Sequence, residues 1–322
     1  MPNLNFLKQT LSRLAHYANS TVPEAQETPW YHLWSIGIYK GPSPVSMAPA
    51  PGIKNPVLTR DDVTDVVALF VADPFMIKVG DTWYMFFEVY NRKTHAEIGV
   101  ATSRDGFHWQ YQQIVLSEPY HLSYPYVFEW NGDHYMIPES SATREIRLYR
   151  ARRFPDQWEH VTTLMEGRAF ADSSIVHHND RWWLFTESSQ GRFDTLRLFS
   201  AKDLMGPWER HPCSPIIEWN PNDARPAGRI LTLPGCLIRF AQGCSPNYGT
   251  DVHAFEITDL TPTSYRERPI AQSSIVGPTG RGWNAGGMHH VDAHQLDDAQ
   301  WMACVDGWTP VASLLDNLKR PA

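Results

Sequence analysis

The sequence predicts an all-β fold: a single five-bladed β-propeller with a short N-terminal helix and an irregular lead-in. Three observations carry that expectation. The first is a repeated unit. DPFMIKVGDTWYMFFE at 73–88, YPYVFEWNGDHYMIPE at 124–139 and DSSIVHHNDRWWLFTE at 172–187 share one internal order. A polar or aromatic opener leads a short apolar strand, a Gly/Asn/Asp turn follows, and an aromatic-rich strand ends in Glu. The opener-to-Glu step is the same in all three, and two apolar runs about such a turn read as a β-hairpin. The second observation is what lies between the units. Residues 97–116, 145–165, 195–213 and 251–270 each hold an alternating strand, a turn and a second strand opened by Trp109, Trp158, Trp208 or Tyr265. The third is the period. Four strands recurring every ~50–60 residues make a propeller blade. A four-stranded sheet cannot bury both faces alone, whereas a ring of such sheets buries each face on its neighbour and leaves short edges.

Taken in chain order, residues 3–18 place Leu4, Leu7, Leu11 and Leu14 at helical spacing, which predicts a short amphipathic helix docked on the domain. Residues 1–27 are expected to hold this helix and a linker, and 28–322 the propeller. The stretch 19–60 is rich in Pro, with Trp30, Tyr31, His32 and Trp34 as an early strand. The segment 28–72 is expected to lend an outer strand to the last blade. The three close repeats are blades one to three. Two degenerate copies follow, at 225–242 with Pro234-Gly235 as turn and at 288–307 with Asp297-Asp298 as turn.

Composition excludes several classes. A formal net charge of −7 does not fit a nucleic-acid binder, which shows a basic face. No stretch approaches the roughly 18 apolar residues of a membrane span. The cysteines Cys213, Cys236, Cys244 and Cys304 contain no CxxC pair, so a zinc ribbon is not expected. They read as reduced, mostly buried thiols, although Cys236 and Cys244 are spaced to flank a hairpin. No secretory leader is visible, and the expected compartment is the cytoplasm.

In a propeller the innermost strands line the axis. The openers Asp73, Tyr124, Asp172, Arg225 and His289 are therefore expected at one axial mouth. Antiparallel pairing returns Glu88, Glu139 and Glu187 to the same end, with Gln242 and Asp306 in the degenerate copies. Arg229, His290 and Asp292 complete the expected rim. Two carboxylates flanking a glycosidic bond can divide the roles of base and acid, and a crowd of carboxylates raises the pKa of one of them. The competing reading is that these carboxylates cap strand ends or pair with arginine. Arg225 and Arg229 read as anion clamps or as partners of the rim carboxylates. His289-His290-x-Asp292 is a weak metal signal, and no metal or cofactor is expected. His177, His178, Trp182 and Trp183 read as packing.

Ala72-Asp73-Pro74-Phe75, the 83–88 strand and GVATSRDGFHW at 99–109 resemble the five-bladed glycosidases of glycoside hydrolase family 43 and the β-mannoside phosphorylases of family 130. LSYPYVFE at 122–129, MIPES at 136–140, IRLYR at 146–150, DSSI at 172–175, RPAGR at 225–229 and MHHVDA at 288–293 are more similar still to a particular propeller domain. It is the one beside the transferase domain of plant glucosamine inositolphosphorylceramide transferases, also found in bacterial stand-alone relatives. The resemblance covers about 65–310. It implies an inverting base at Asp73 and a pKa-tuning carboxylate at Asp172. The hydrolases' acid motif is missing; the nearest candidates are Glu139 and Glu187. Glu88, Tyr124, Arg225, Arg229, His289, His290 and Asp292 are then expected to bind substrate. The implied activity is that of an inverting glycoside hydrolase. The alternatives are a phosphorylase or glycosyl transferase using phosphate or a phosphorylated sugar, and a non-catalytic glycan-binding propeller.

Overall fold

The computed structural model describes residues 32–310, apart from 92–94, 272–273 and 298–299. The N-terminal helix expected within 1–27 lies outside the described residues. Five antiparallel four-stranded sheets account for nearly all the regular structure. Blade one is β3 (Ala68–Val79), β4 (Thr82–Asn91), β5 (Ala96–Ser103) and β6 (Gln110–Leu116); blade two is β7 (Ser123–Trp130), β8 (Asp133–Glu139), β9 (Glu145–Arg153) and β10 (Gln157–Glu166). Blade three is β11 (Ala171–His178), β12 (Arg181–Glu187), β13 (Leu196–Ala201) and β14 (Glu209–Arg210). Blade four is β15 (Leu231–Leu233), β16 (Cys236–Gly243), β17 (Asp251–Leu260) and β18 (Tyr265–Pro269). Blade five joins the two ends of the described chain. Its inner strands are β19 (Val291–Asp297) and β20 (Gln300–Pro310), and its outer strands are β1 (His32–Ser43) and β2 (Ser46–Pro49). The lead-in thus supplies two strands to the last blade, where one was expected. The reason is length: β1 pairs with β20 from His32↔Pro310 to Gly41↔Trp301, and the chain then turns back as β2.

The core lies between adjacent blades. Phe86 and Val100 of blade one share a buried cluster with Val127 and Met136 of blade two and Ile175 and Leu184 of blade three. Trp182 and Trp183 are buried, as expected for packing residues. The recurrent tryptophan before each outer strand has a local job. The indole N–H groups of Trp109, Trp158 and Trp208 donate to the carbonyls of Gly106, Pro155 and Leu204 at 2.9, 2.8 and 3.1 Å, fastening the outer strand to its own turn. All four cysteines are free, so Cys236 and Cys244 are not cross-linked.

One irregularity recurs and positions the axis. In β3, β7 and β11 the residue just before the opener pairs with the terminal Glu: Ala72↔Glu88, Ser123↔Glu139 and Ala171↔Glu187. The ladder then slips by one extra inner-strand residue before resuming at Phe75↔Phe86, Tyr126↔Ile137 and Ser174↔Phe185. The openers sit in this bulge with left-handed backbones, φ 53° at Asp73, 45° at Tyr124 and 48° at Asp172. A bulge re-aims a side chain without ending the strand. Here it turns Asp73 and Asp172 toward the axis, while the Tyr124 ring stays buried against Phe75 of blade one.

Candidate axial site

The bulges also turn backbone N–H groups toward carboxylates of the preceding blade. The N–H of Asp73 donates to Asp306 Oδ2 at 3.0 Å, that of Tyr124 to Asp73 Oδ2 at 3.3 Å, and that of Asp172 to Glu139 Oε2 at 3.3 Å. Blade four continues the circuit with side chains. Arg225 Nε donates to Asp172 Oδ2 at 2.6 Å, its terminal nitrogen reaches Glu139 Oε2 at 3.3 Å, and Gln242 Nε2 donates to Asp172 Oδ2 at 2.6 Å. Blade five closes it: His289 Nδ1 lies 2.9 Å from Asp306 Oδ1, and its backbone N–H donates to the same oxygen at 3.1 Å. Part of the carboxylate ring is therefore structural, its charge met by backbone dipoles, a guanidinium and an imidazole.

What remains unsatisfied marks the candidate site. Asp73 Oδ1, Asp172 Oδ1 and both ring nitrogens of His290 are buried and have no hydrogen-bond partner among the described residues. Such orphans carry a desolvation penalty and call for an explanation, a bound polar group among them. Asp73 Oδ1 faces His289 Nε2 at 3.8 Å and His290 Nδ1 at 3.9 Å. Trp34 stacks on the His289 ring at 3.9 Å, and Tyr248 meets it edge-on at 5.3 Å. Arg225 lies over the rings of Phe193 and Tyr248 at 5.2 and 5.3 Å.

The electrostatics sort the acids. Burial pushes Asp73 up to about 6, against the opposing pull of His289. Burial and then the like charges of Asp73 and Glu139 hold Glu88 well above the usual carboxylate range. Burial also raises Asp172 well above its ordinary value, with Arg225 pulling the other way. Glu139 and Asp306 are held low despite burial, Glu139 by Arg225 and Asp306 by His289. His289 is raised, since Asp306 and Asp73 outweigh its burial, whereas burial lowers His290 to about 4 and keeps it neutral.

Several expected rim residues sit elsewhere or are already committed. Arg229 and Asp292 do not join the rim: Arg229 Nε bonds Asp292 Oδ1 at 2.8 Å, and both hold Met76, one through its carbonyl and one through its N–H. With His294, 2.9 Å from Asp292 Oδ2, they belong to a cluster further along the inner strands, beside a cavity of about 520 Å³ lined by Lys78, Trp83 and Glu129. The physical reason is strand alternation and rise: Asp292 lies inside β19, beyond His289 and His290, which precede it. Arg229 is thus spent on Asp292 and is not an anion clamp at the mouth. Glu187 is tied to Ser189, whose N–H donates to Oε1 at 2.5 Å. His290 and Asp292 do not form a metal set with His289. The trio that places one donor each within 4.8 Å is Asp73, His289 and Asp306. Two carboxylates and an imidazole suit a divalent cation.

Trp34, Phe193 and Tyr248 were not among the expected site residues. They reach the mouth from loops and from an outer strand, and no repeat spacing points to them. His121 is a further one, 3.5 Å from Glu88 Oε1.

The chain matches the family model described as glucosamine inositolphosphorylceramide transferase 1, N-terminal, over residues 31–308. It is 37% identical over 296 residues to glucosamine inositolphosphorylceramide transferase 1 of Oryza sativa subsp. japonica, covering 85% of this chain and 40% of the relative. The chain therefore spans well under half the length of that relative. Among solved structures it is similar to a β-1,2-mannobiose phosphorylase from Listeria innocua, with a TM-score of 0.61, 12% identity and coverage of 88% of this chain and 99% of the other. It is also similar to a family 117 glycoside hydrolase of Zobellia galactanivorans, with a TM-score of 0.54, 14% identity and coverage of 86% and 92%. These two likenesses show the propeller fold, in keeping with the resemblance seen in the sequence motifs. The match across the whole propeller, including the Asp73, Asp172, Arg225 and His289 segments, makes this chain a member of the glucosamine inositolphosphorylceramide transferase 1 N-terminal family.

Proposed function

We propose that the chain processes a glycosidic bond at the axial mouth with inversion, Asp73 acting as the base. The observation that carries this is the state of Asp73. It is buried, its Oδ1 is unpartnered, and its pKa of about 6 lets it take a proton near neutrality. His289, fixed by Asp306 and stacked on Trp34, faces that oxygen, and its raised pKa favours the imidazolium, a positive charge that supports the ionised Asp73. Asp172 binds and tunes through Arg225 and Gln242. The acid was expected at Glu139 or Glu187. Electrostatics favour Glu88 instead, because Glu139 is kept ionised by Arg225 and a leaving-group acid must start protonated. Glu139 then serves to hold Arg225 and the Asp172 N–H.

The family's named members are transferases, and a phosphorylase shares the fold. This supports a second reading in which phosphate or a phosphorylated sugar replaces water, with His289 and Arg225 as the cationic groups at the site. The described residues contain no helix long and apolar enough to cross a membrane. Four free thiols support a reducing compartment, the cytoplasm.

The test is turnover of a panel of 4-nitrophenyl glycosides with and without inorganic phosphate. Turnover that requires phosphate and falls in Arg225→Ala selects the phosphorylase reading. Turnover in water alone, lost in Asp73→Asn, selects hydrolysis. Tight sugar binding without turnover, unchanged in Asp73→Asn, would leave a glycan-binding propeller.

A further inference from the structure

Beyond the axial cluster, one aromatic side chain stands apart. Trp219 is 74% exposed, the only aromatic among the exposed large hydrophobic residues described. Its backbone is left-handed, φ 62°, which is a genuine outlier for a bulky residue. Other left-handed non-glycine positions have local explanations: the openers lie in bulges, Asn131, Asn179 and Asp180 in hairpin turns, and Arg144 at the end of a short helical turn. The three left over are Gln190, Phe193 and Trp219, and all fall in two neighbouring loops. Strained backbone concentrates at ligand clamps and persists only where its surroundings impose it.

The surroundings do impose it. Ile217 bridges Leu196, the residue paired with Glu187 at the mouth end of blade three, and the N–H of Asn220 donates to the Asp194 carbonyl at 3.3 Å. Arg192, held by Asp194 at 3.0 Å, lies over the Trp219 ring at 5.2 Å. The next residue, Phe193, packs on Tyr248 at 5.1 Å, with Arg225 over both. Phe193 and Arg192, consecutive in one loop, therefore join two groups: Phe193 packs with Arg225, which holds Asp172, and Arg192 covers the exposed indole.

We infer that Trp219, backed by Arg192, is a platform for a second sugar ring of a glycan whose first ring occupies the axial mouth. The indole presents a flat apolar face that Arg192 orients from one side, and the apolar face of a pyranose ring is the ligand surface that fits the other. This inference rests on the carbohydrate reading of the axial site.

Isothermal titration of wild type with mono-, di- and trisaccharides of mannose, galactose, arabinose and glucosamine tests it. Wild type is expected to bind a trisaccharide more tightly than its monosaccharide. Trp219→Ala should lose about tenfold on the trisaccharide with the monosaccharide unchanged, and Trp219→Phe should keep most of the gain. Equal binding of every sugar by wild type and Trp219→Ala overturns the platform, as does equal weakening of mono- and trisaccharide. Absence of binding by wild type to the whole panel overturns it together with the carbohydrate reading. A Trp219-dependent gain with chain length in a protein that turns over no glycoside keeps the platform and removes catalysis.

Discussion

At the residue scale, Asp73 carries opposing demands. Burial raises its pKa to about 6, so the fold binds its proton more tightly than the unfolded chain does. The stability this group contributes is present in acid and is lost as pH rises from about 4 through 6. Its reactivity runs the other way, because a base must be ionised. Turnover is therefore expected to rise through about pH 6, read from the pH profile of kcat/KM. Asp73→Asn should lower turnover by about 10²–10⁴-fold. It should also stabilise the fold at pH 7 by on the order of 1–3 kcal/mol, seen as a higher Tm, and the gain should vanish toward pH 4. Asn tolerates the left-handed backbone and keeps an acceptor for the Tyr124 N–H. A variant that melts below wild type at pH 7 would show that Asp73 is a structural ion. The sequence made this residue legible through the repeat. It could not show that Arg229, four residues past Arg225, is spent on Asp292 at another level of the axis.

At the element scale, the device is the bulge that follows Ala72, Ser123 and Ala171. It shifts the register by one residue yet leaves the hairpin paired on both sides, and it lets three inner strands turn one N–H each toward the neighbouring blade. Blade four departs from it. Its inner strand shrinks to Leu231–Leu233, and residues before it run close under blade five. Gly228, φ 138°, shows how close: a Cβ there would stand 1.9 Å from the Val291 carbonyl oxygen. Its own carbonyl accepts from Tyr124 Oη at 3.1 Å and from Ser174 Oγ at 2.9 Å. Gly228→Ala is expected to destabilise by about 3 kcal/mol or more, since backbone must move against backbone. Gly235→Ala, also left-handed at φ 82° but in an open turn, should cost only about 1–2 kcal/mol. Paired thermal melts check the contrast, and equal losses would refute it. The turns and paired strands of blades one to three were readable because their polar and apolar residues alternate without interruption. Blade four was less so because its inner strand is only three residues long, too short to show an alternation of its own.

At the scale of the whole molecule, the ring closes through blade five. The start of the described chain supplies β1 and β2 to a sheet whose inner strands come from its end. Without them, β20 would keep β19 but lose its other neighbour from Trp301 to Pro310, and blade five would be cut to two strands with an open edge. Internal deletion of 32–49 is therefore expected to abolish cooperative unfolding and expose the remaining blades to protease. Near-ultraviolet circular dichroism and limited proteolysis check this, and a wild-type melt of the deleted chain would contradict it. Closure also brings Trp34 onto His289, so the same deletion removes part of the site.

The sequence alone determined the architecture: the period, the hairpins, the count of blades and the convergence of Asp73, Glu88, Glu139, Asp172, Arg225 and His289 on one mouth. These follow from local alternation and from repetition, which chain order preserves. Only the tertiary structure decided which of those charges are neutralised and which remain available. Partnership across the axis joins residues such as Asp73 and Asp306, far apart in the chain, and burial acts on the folded surroundings of a group. The same holds for Trp219, whose exposure and strained backbone exist only where two loops of neighbouring blades meet.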